Sequence, residues 1–420
     1  MFSRKNQKED ILVGLDVGST AVRIAVGQIV DIGEKKELHI IGAAEAPSEG
    51  VHRGVVTGIE DAVSSISACK EKAEHMTGVP IERAWVGISG NYIMSEESKG
   101  VIAISRPDGE ISEVEVERVI EAARTVATPL NYEILHVIPK SYTVDGQVGI
   151  KDPVGMTGVR LEVDTQIIQG LSSQIKNLTK AVYRTGLEIN DLVLSVLANA
   201  EAVVTDRQKD LGVAVINLGG ATTSVVVFEE GDILDAVILP IGSEHISADL
   251  AIGLRTSIDV AERLKLECGT VLSRDISKKE EIDLYDLGAI EHEIVSLKFA
   301  AEIIEARVEE IMDKIEDVFK KVGRSGALPA GVILTGGGAK MRGLIDIAKR
   351  KLRLPAGLGY PLNISSVTDK VNDLAFTTAI GLVQWGVLAQ NSMRKVSFGR
   401  LFSPSKVIKW FKKLFSFLKF

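Results

Sequence analysis

Residues 11–26, ILVGLDVGSTAVRIAV, return in shortened form in the second half of the chain as residues 212–227, GVAVINLGGATTSVVV. Each copy reads as strand, glycine turn, strand. The apolar runs 11–15 and 213–216 have the length and β-branched content of buried strands, and the returning runs 22–26 and 224–228 close each unit into a β-hairpin. Between the arms lie Asp16-Val17-Gly18-Ser19-Thr20 and Asn217-Leu218-Gly219-Gly220-Ala221-Thr222. Such turns gather bare backbone N–H groups and small hydroxyls at one point, which is how a chain cradles phosphate oxygens without bulky side chains in the way. Asp16 is acidic where phosphate would repel it, so its place implies a divalent cation in between, Mg²⁺ with its own waters. Two hairpins of this kind imply a duplicated α/β fold whose halves grip one nucleotide from both sides.

A third glycine loop, Thr335-Gly336-Gly337-Gly338-Ala339-Lys340, follows the strand read over 331–334. At a strand-to-helix junction the missing side chains let a flat base or ribose lie against the backbone, and the helix N-terminus favours an anion. Triple glycines also occur in plain turns; the order of three loops, with basic Arg23 after the first, is what carries weight. Glu262 and Lys265, one turn apart on the helix read over 257–268, have two readings. One is a surface i,i+3 ion pair; the other is a pair holding ribose and base beside the second loop.

With 420 residues, 45% hydrophobic and 25% charged, the chain is long enough for two or more globular domains. MFSRKNQKED at the N-terminus has no apolar core, so no signal peptide is expected there, and no run of eighteen apolar residues suggests a membrane span. The six histidines lack metal-ligand spacing, which argues against a zinc or iron site. Cys69 and Cys268 read as reduced core thiols. Nucleic acid is not an expected partner, because the body is acidic and carries no recognition motif.

Between 91 and 166 the texture changes. Short strands at 101–104, 133–144 and 158–163 surround a charged helix at 112–127, opened by Ser112 and Glu115 as a capping box. This reads as a small α+β module set into the first half, after which strand 165–171, helix 173–185 and strand 191–197 resume the earlier rhythm. Later, an apolar stripe from Ile294 to Val318 marks a long amphipathic helix over 291–321, and the apolar helix over 373–390 is expected to pack back into the body.

The net charge of −8 conceals an asymmetry, since residues 394–420 hold eight Lys or Arg and no acid. Residues 391–402 read as a linker. Ser403 and Pro404 then begin a helix, the Ser as N-cap and the Pro in the first turn. Val407, Trp410, Phe411, Leu414, Phe417 and Leu418 fall on one face, with Lys406, Lys409 and Lys413 opposite. Such a helix either docks on the protein's own core or a second subunit, or lies in the plane of an anionic membrane. The detached, acid-free, lysine-flanked pattern favours the membrane.

The series Gly14-Leu15-Asp16-Val17-Gly18-Ser19, Asn217-Leu218-Gly219-Gly220 and Leu334-Thr335-Gly336-Gly337-Gly338-Ala339 resembles the two phosphate loops and the adenosine loop of the actin, Hsp70 and sugar kinase superfamily. Over nearly its whole length the chain is similar to the FtsA family of bacterial cell-division proteins. The resemblance implies an actin-like first part at 1–88, completed by 166–198 and 366–390, with the family's inserted subdomain at 89–165. It implies a second half divided into 199–242 with 330–365 and 243–329, then the linker 391–402 and a membrane-targeting helix at 403–420.

The resemblance further implies a scaffold that binds ATP and Mg²⁺, polymerises head to tail on the cytoplasmic face of the cell membrane at the division septum, and tethers FtsZ filaments there. Asp16 would position Mg²⁺ through water. Gly18, Ser19, Thr20 and Arg23 would meet phosphates, and Gly219, Gly220, Ala221 and Thr222 would close on them. Glu262 and Lys265 would hold the nucleoside, with Gly336, Gly337, Gly338 and Lys340 against the adenine. Arg307, in the stretch 303–307, would receive the FtsZ C-terminal peptide, and the inserted subdomain would dock other division proteins.

Two departures bear on turnover. Asn217 stands where many superfamily members have Asp, and an amide cannot polarise a metal-bound water as a carboxylate does. In the stretch 196–202, where relatives carry a water-orienting Glu or Gln, Asn199 and Glu201 do not align cleanly. Slow or negligible hydrolysis is therefore expected. The alternatives are an FtsA-like pilus-assembly module that binds a peptide, or a small-molecule kinase, for which the first half offers no convincing base.

Overall fold

The first hairpin is β1 (Ile11–Val17) and β2 (Ala21–Ile32), whose register sets Asp16 opposite Arg23 and Val17 opposite Val22. The structure is a computed structural model and describes residues 11–32, 35–127 and 129–398. β3 (Lys35–Pro47) extends the meander, and a small hairpin of β4 (Val51–His52) and β5 (Val55–Val56) leads to α1 (Ile59–Thr77). Helix α1 buries Ala62, Ile66, Cys69 and Ala73, the i,i+3 and i,i+4 stripe of an amphipathic helix, and ends at Gly78 in the left-handed region. β6 (Arg83–Ile88) then returns parallel to β1.

The inserted module consists of β7 (Ile93–Ala103), α2 (Glu113–Ala127), β8 (Tyr132–Val144), β9 (Gln147–Ile150) and β10 (Arg160–Leu171), with strand order β7-β10-β8-β9. The runs 158–163 and 165–171, expected as two strands, are replaced by the single strand β10. What interrupts the sequence pattern is a register shift against β8 between Asp164 and Thr165, a bulge rather than a break. At the head of α2, the backbone N–H and the hydroxyl of Ser112 both donate to the Glu115 carboxylate. The Ser112 hydroxyl in turn accepts from the Val114 N–H at 3.3 Å, one residue earlier than the Glu115 N–H of the expected capping box.

The chain then returns to the body through α3 (Ser172–Arg184) and β11 (Glu188–Leu194), which pairs parallel with β6. The strand expected over 191–197 stops at Leu194, where α4 (Ser195–Val203) begins. Nearly every residue of α4 is buried, so no alternation distinguishes its first turn from a buried strand. After α5 (Asp206–Leu211) the second half opens with β12 (Val213–Leu218), β13 (Thr223–Glu229), β14 (Asp232–Leu239), α6 (Ser243–Gly253) and α7 (Ile258–Cys268).

The long helix expected from 291 starts only at Leu297. Its first residues instead form β16 (Ile294–Ser296), paired with β15 (Glu281–Asp283), and Ser296 caps α8 (Leu297–Lys321). β17 (Val332–Thr335), α9 (Leu344–Leu352) and β18 (Ala356–Leu358) complete a second sheet ordered β14-β13-β12-β17-β18. The chain crosses back through β19 (Ser365–Ser366), which closes the first sheet as β11-β6-β1-β2-β3-β19, to α10 (Thr377–Phe398). Helix α10 begins later than the expected 373 and runs past Gln390 to Phe398, into the stretch read as a linker. The expected lipid-facing helix, with Lys406, Val407, Lys409, Trp410, Phe411, Lys413, Leu414, Phe417 and Leu418, lies outside the described residues. Among the described residues no helix is long and apolar enough to cross a membrane.

The duplication is visible in the ladders. β1 is flanked by antiparallel β2 and parallel β6, and β12 by antiparallel β13 and parallel β17, so Asp16 beside Gly87 corresponds to Asn217 beside Thr335. Helices α4 and α10 pack together at the backbone: a Cβ on Gly381 would stand 2.1 Å from the Ala198 carbonyl oxygen. One core joins β1, β2, α1 and α3, and a second joins β12 and β17 to α6–α9.

Candidate functional site

The two hairpin turns are closed by equivalent bonds, Gly18 N–H to the Ala21 carbonyl at 3.2 Å and Gly219 N–H to the Thr222 carbonyl at 2.9 Å. They meet tip to tip. A Cβ on Gly220 would stand 2.6 Å from Thr20 Cγ2, 2.7 Å from Glu244 Oε1 and 3.2 Å from Thr20 Oγ1, so the Thr20 and Glu244 side chains would have to shift to admit it. Behind them Ser89 Oγ and Ser224 Oγ lie 3.3 Å apart, joining the halves, and Ser19 Oγ accepts from Gly54 N–H at 3.1 Å.

The second turn is held from behind by the start of α6. Ser243 N–H donates to the Gly219 carbonyl at 2.9 Å, Ser243 Oγ donates to it at 3.1 Å, and Glu244 N–H donates to the Gly220 carbonyl at 2.8 Å. Because a trans peptide points its carbonyl and the next N–H in opposite directions, these bonds turn the amides of Gly220 and Ala221 away from α6. Nothing in the local sequence around Gly242 and Ser243 reveals this clamp. The third loop closes on the second: Gly336 has φ 86°, and a Cβ there would lie 2.3 Å from Asn217 Oδ1. Its N–H donates to the Leu374 carbonyl at 3.2 Å.

Asp16 is recessed at the end of β1. Burial pushes its carboxyl up to about 6, with Arg23 pulling the other way. Among the described residues no donor is hydrogen-bonded to it. An acid so placed, beside two turns of backbone N–H groups, suits a hydrated divalent cation that bridges to phosphate. No group of three or more His, Cys, Asp or Glu forms a metal cluster among the described residues; a single carboxylate fits a cation that keeps most of its waters. Arg23 is engaged on its other side: its Nε lies 3.3 Å from Glu45 Oε2, and its guanidinium stands 5.7 Å from the centre of the Phe376 ring.

Glu262 and Lys265 do form an i,i+3 ion pair at 2.6 Å, with the Glu262 side chain 41% exposed and the Lys265 side chain 5% exposed. Lys265 is buried and its Nζ donates to the Ser243 carbonyl at 3.2 Å, while Ser247 Oγ donates to Glu262. The pair therefore braces the residue that holds Gly219. Lys340 pairs with Asp373, and the two border a cavity of about 620 Å³ lined also by Met341, Arg342 and Tyr360. Arg307 stands apart from the three turns. It pairs with Asp249 at 2.8 Å and with Glu310, and borders a second cleft of about 580 Å³ beside Leu239 and Pro240. Asn199 Oδ1 accepts from Thr378 Oγ1 at 3.3 Å while its Nδ2 is buried without a partner, and Glu201 pairs with Lys209 at 2.6 Å.

Comparison with known proteins adds to this geometry. The family model described as "SHS2 domain inserted in FTSA" matches residues 90–169, and the one described as "Cell division protein FtsA" matches residues 214–381. The chain is 34% identical over 391 residues to the cell division protein FtsA of Pseudomonas aeruginosa, covering 93% of each. It is 37% identical over 390 residues to that of Bacillus subtilis, covering 93% of this chain and 86% of the relative. Among solved structures, the fold is similar to the PilM-PilN type IV pilus biogenesis complex, with TM-score 0.63 and 16% identity over 90% of this chain and 98% of that one. It is also similar to MreB5 of Spiroplasma citri bound to ADP, with TM-score 0.53 and 12% identity over 92% and 98%.

Proposed function

The chain belongs to the FtsA family of cell-division proteins, and from that premise we propose that it is an ATP-binding scaffold that polymerises head to tail on the cytoplasmic face of the membrane and tethers FtsZ filaments to it. The observation that carries the nucleotide reading is the meeting of Thr20 with Gly220, with the recessed Asp16 carboxylate at the end of the adjoining strand β1. Two turns rich in backbone N–H groups that meet where the halves join, with an acid at the end of the adjoining strand, have the donor set for a Mg-nucleotide. The ADP-bound MreB5 of the same fold is in keeping with it.

In this reading Gly18, Ser19 and Thr20 bind phosphate oxygens from one side and Gly219, Gly220, Ala221 and Thr222 from the other. Glu262 and Lys265 steady the second turn through Ser243, and the Gly336–Gly338 loop receives the adenosine end with Lys340 at its rim. Bound Mg²⁺ would supply positive charge against the phosphates, with Asp16 holding its water. Turnover is slow, because Asn217 and Asn199 carry no basic oxygen of carboxylate strength and the Glu201 carboxylate is bonded to Lys209. Arg307 would take the acidic FtsZ tail only by exchanging Asp249 or Glu310 for it, and the inserted module would engage other division proteins.

The test is electron microscopy of the full chain on anionic lipid monolayers with Mg-ATP, with and without FtsZ. Filaments that recruit FtsZ support the proposal; a dispersed protein that leaves FtsZ in solution with nucleotide bound would remove the scaffold role and leave the nucleotide site standing.

A further inference from the structure

Beside Asp16 lies a polar group with no assigned role. Ser195 begins α4, is only 2% exposed, and its hydroxyl is buried without a hydrogen-bond partner. No side chain caps the start of α4; the N–H of Leu194 is taken by His136 Nε2 at 3.0 Å, and Leu194 offers no oxygen of its own. Across the first sheet the row runs Asp16, Gly87, Val193, which brings Ser195, two residues beyond Val193, to the same face as Asp16. The residue between them has no side chain. A Cβ on Gly87 would stand 2.9 Å from Ser195 Oγ and 3.5 Å from Asp16 Oδ1, with Leu382 Cδ1 at 3.2 Å as the apolar wall. The hydroxyl and the carboxylate thus face one small gap without bonding each other.

A gap with polar groups on two sides and the free end of a helix dipole on a third suits an ordered water. A buried hydroxyl left unsatisfied destabilises the fold, and such a group persists where it has another role. We propose that Ser195 is a positioning residue: together with Asp16 it holds a water of the divalent cation that accompanies the nucleotide. This rests on the nucleotide reading above. It also explains how the site can orient water while turning over slowly, since an aliphatic hydroxyl holds a water but is a poor base.

The test uses the full chain and follows its melting temperature with ATP as Mg²⁺ is titrated. Ser195→Ala should raise the Mg²⁺ concentration at half-response about tenfold, as loss of an outer-shell partner does, while its ligand-free melting temperature stays at or above the parent's. Ser195→Thr should restore the parent midpoint. Gly87→Ala fills the gap while the hydroxyl is kept, its new Cβ crowding Ser195 Oγ, and should raise the midpoint as well. An unchanged Mg²⁺ midpoint in both Ser195→Ala and Gly87→Ala, beside a parent that responds, overturns the role of Ser195 and leaves the nucleotide site intact. A parent that does not respond to ATP at any Mg²⁺ concentration removes both.

Discussion

Thr20 and Gly220 touch across the boundary between the two duplicated halves, and a single added Cβ at Gly220 would come within 2.6 Å of Thr20 Cγ2. Gly220→Val should therefore hold the turns apart. The variant is expected to fold, with a stability loss of about 1–3 kcal/mol for local overpacking, and to lose most of the rise in melting temperature that Mg-ATP produces by mass action. A Gly220→Val protein stabilised by Mg-ATP as strongly as the parent would show that the turns do not share a ligand.

Asp16 sits directly opposite Arg23 in the β1–β2 ladder, yet burial outweighs that cation and the carboxyl is raised to about 6 from an ordinary 3.8. Between those values the folded state holds a proton that the unfolded state has released. The contribution of Asp16 to stability therefore falls as pH rises from about 4 to about 6, and is flat above. Asp16→Asn removes that penalty: the ligand-free variant should be more stable than the parent at pH 7.5 by about 3 kcal/mol, with little difference at pH 4. It should also lose the Mg²⁺-dependent part of its response to ATP. Urea unfolding at both pH values checks the first statement, and a penalty of equal size at pH 4 would contradict it.

Gly14 lies where β1 crosses α10, and a Cβ there would be 2.1 Å from the Ala379 carbonyl oxygen and 2.8 Å from Leu382 Cβ. Backbone on backbone leaves nothing free to swing aside. Gly14→Val should lower unfolding stability by about 3 kcal/mol or more, at the upper end of overpacking effects, measured by urea titration of the ligand-free protein.

Arg307 is held by Asp249 and Glu310, so its replacement exposes two acids as well as removing a cation. Arg307→Ala should weaken binding of a synthetic FtsZ C-terminal peptide at least tenfold by fluorescence anisotropy, by attraction lost and repulsion uncovered. Its effect on stability should stay near 1 kcal/mol, as for partly exposed pairs. Binding that is indifferent to Arg307→Ala would move the peptide site elsewhere.

Ending the chain after Phe398 keeps α10 whole and removes the amphipathic tail. This truncated form should remain in the supernatant when spun with anionic vesicles that pellet the full chain. Trp410→Glu with Phe411→Glu should release the full chain too, because carboxylates resist transfer to the acyl boundary. Vesicle pelleting of the truncated form would place the lipid contact within residues 1–398.

The parts legible from the sequence were those with a local cause. Gly18 and Gly219 announce tight turns, the β-branched runs on either side announce strands, and the Ile304, Val308, Ile311, Ile315 stripe announces a helix. Where neighbours remote in sequence set the outcome, local pattern failed. The first turn of α4 reads as a strand because burial on every side erases periodicity, and Ile294 joins β16 because Asp283 offers it a partner. Glu262 and Lys265 have the spacing of a surface pair; only the Ser243 carbonyl beneath Lys265 distinguishes them from one.

By itself the sequence determined that this protein has two matched glycine hairpins and a third glycine loop, in the order of an actin-like chain, because strand, turn and glycine chemistry act over a few residues. Only the tertiary structure decided that Thr20 meets Gly220, that Arg23 leans on Glu45 and Phe376, and that Ser195 comes to face Asp16 across Gly87. Those meetings depend on how two sheets and the α4–α10 helix pair pack, a long-range outcome of close packing that no short stretch of residues encodes.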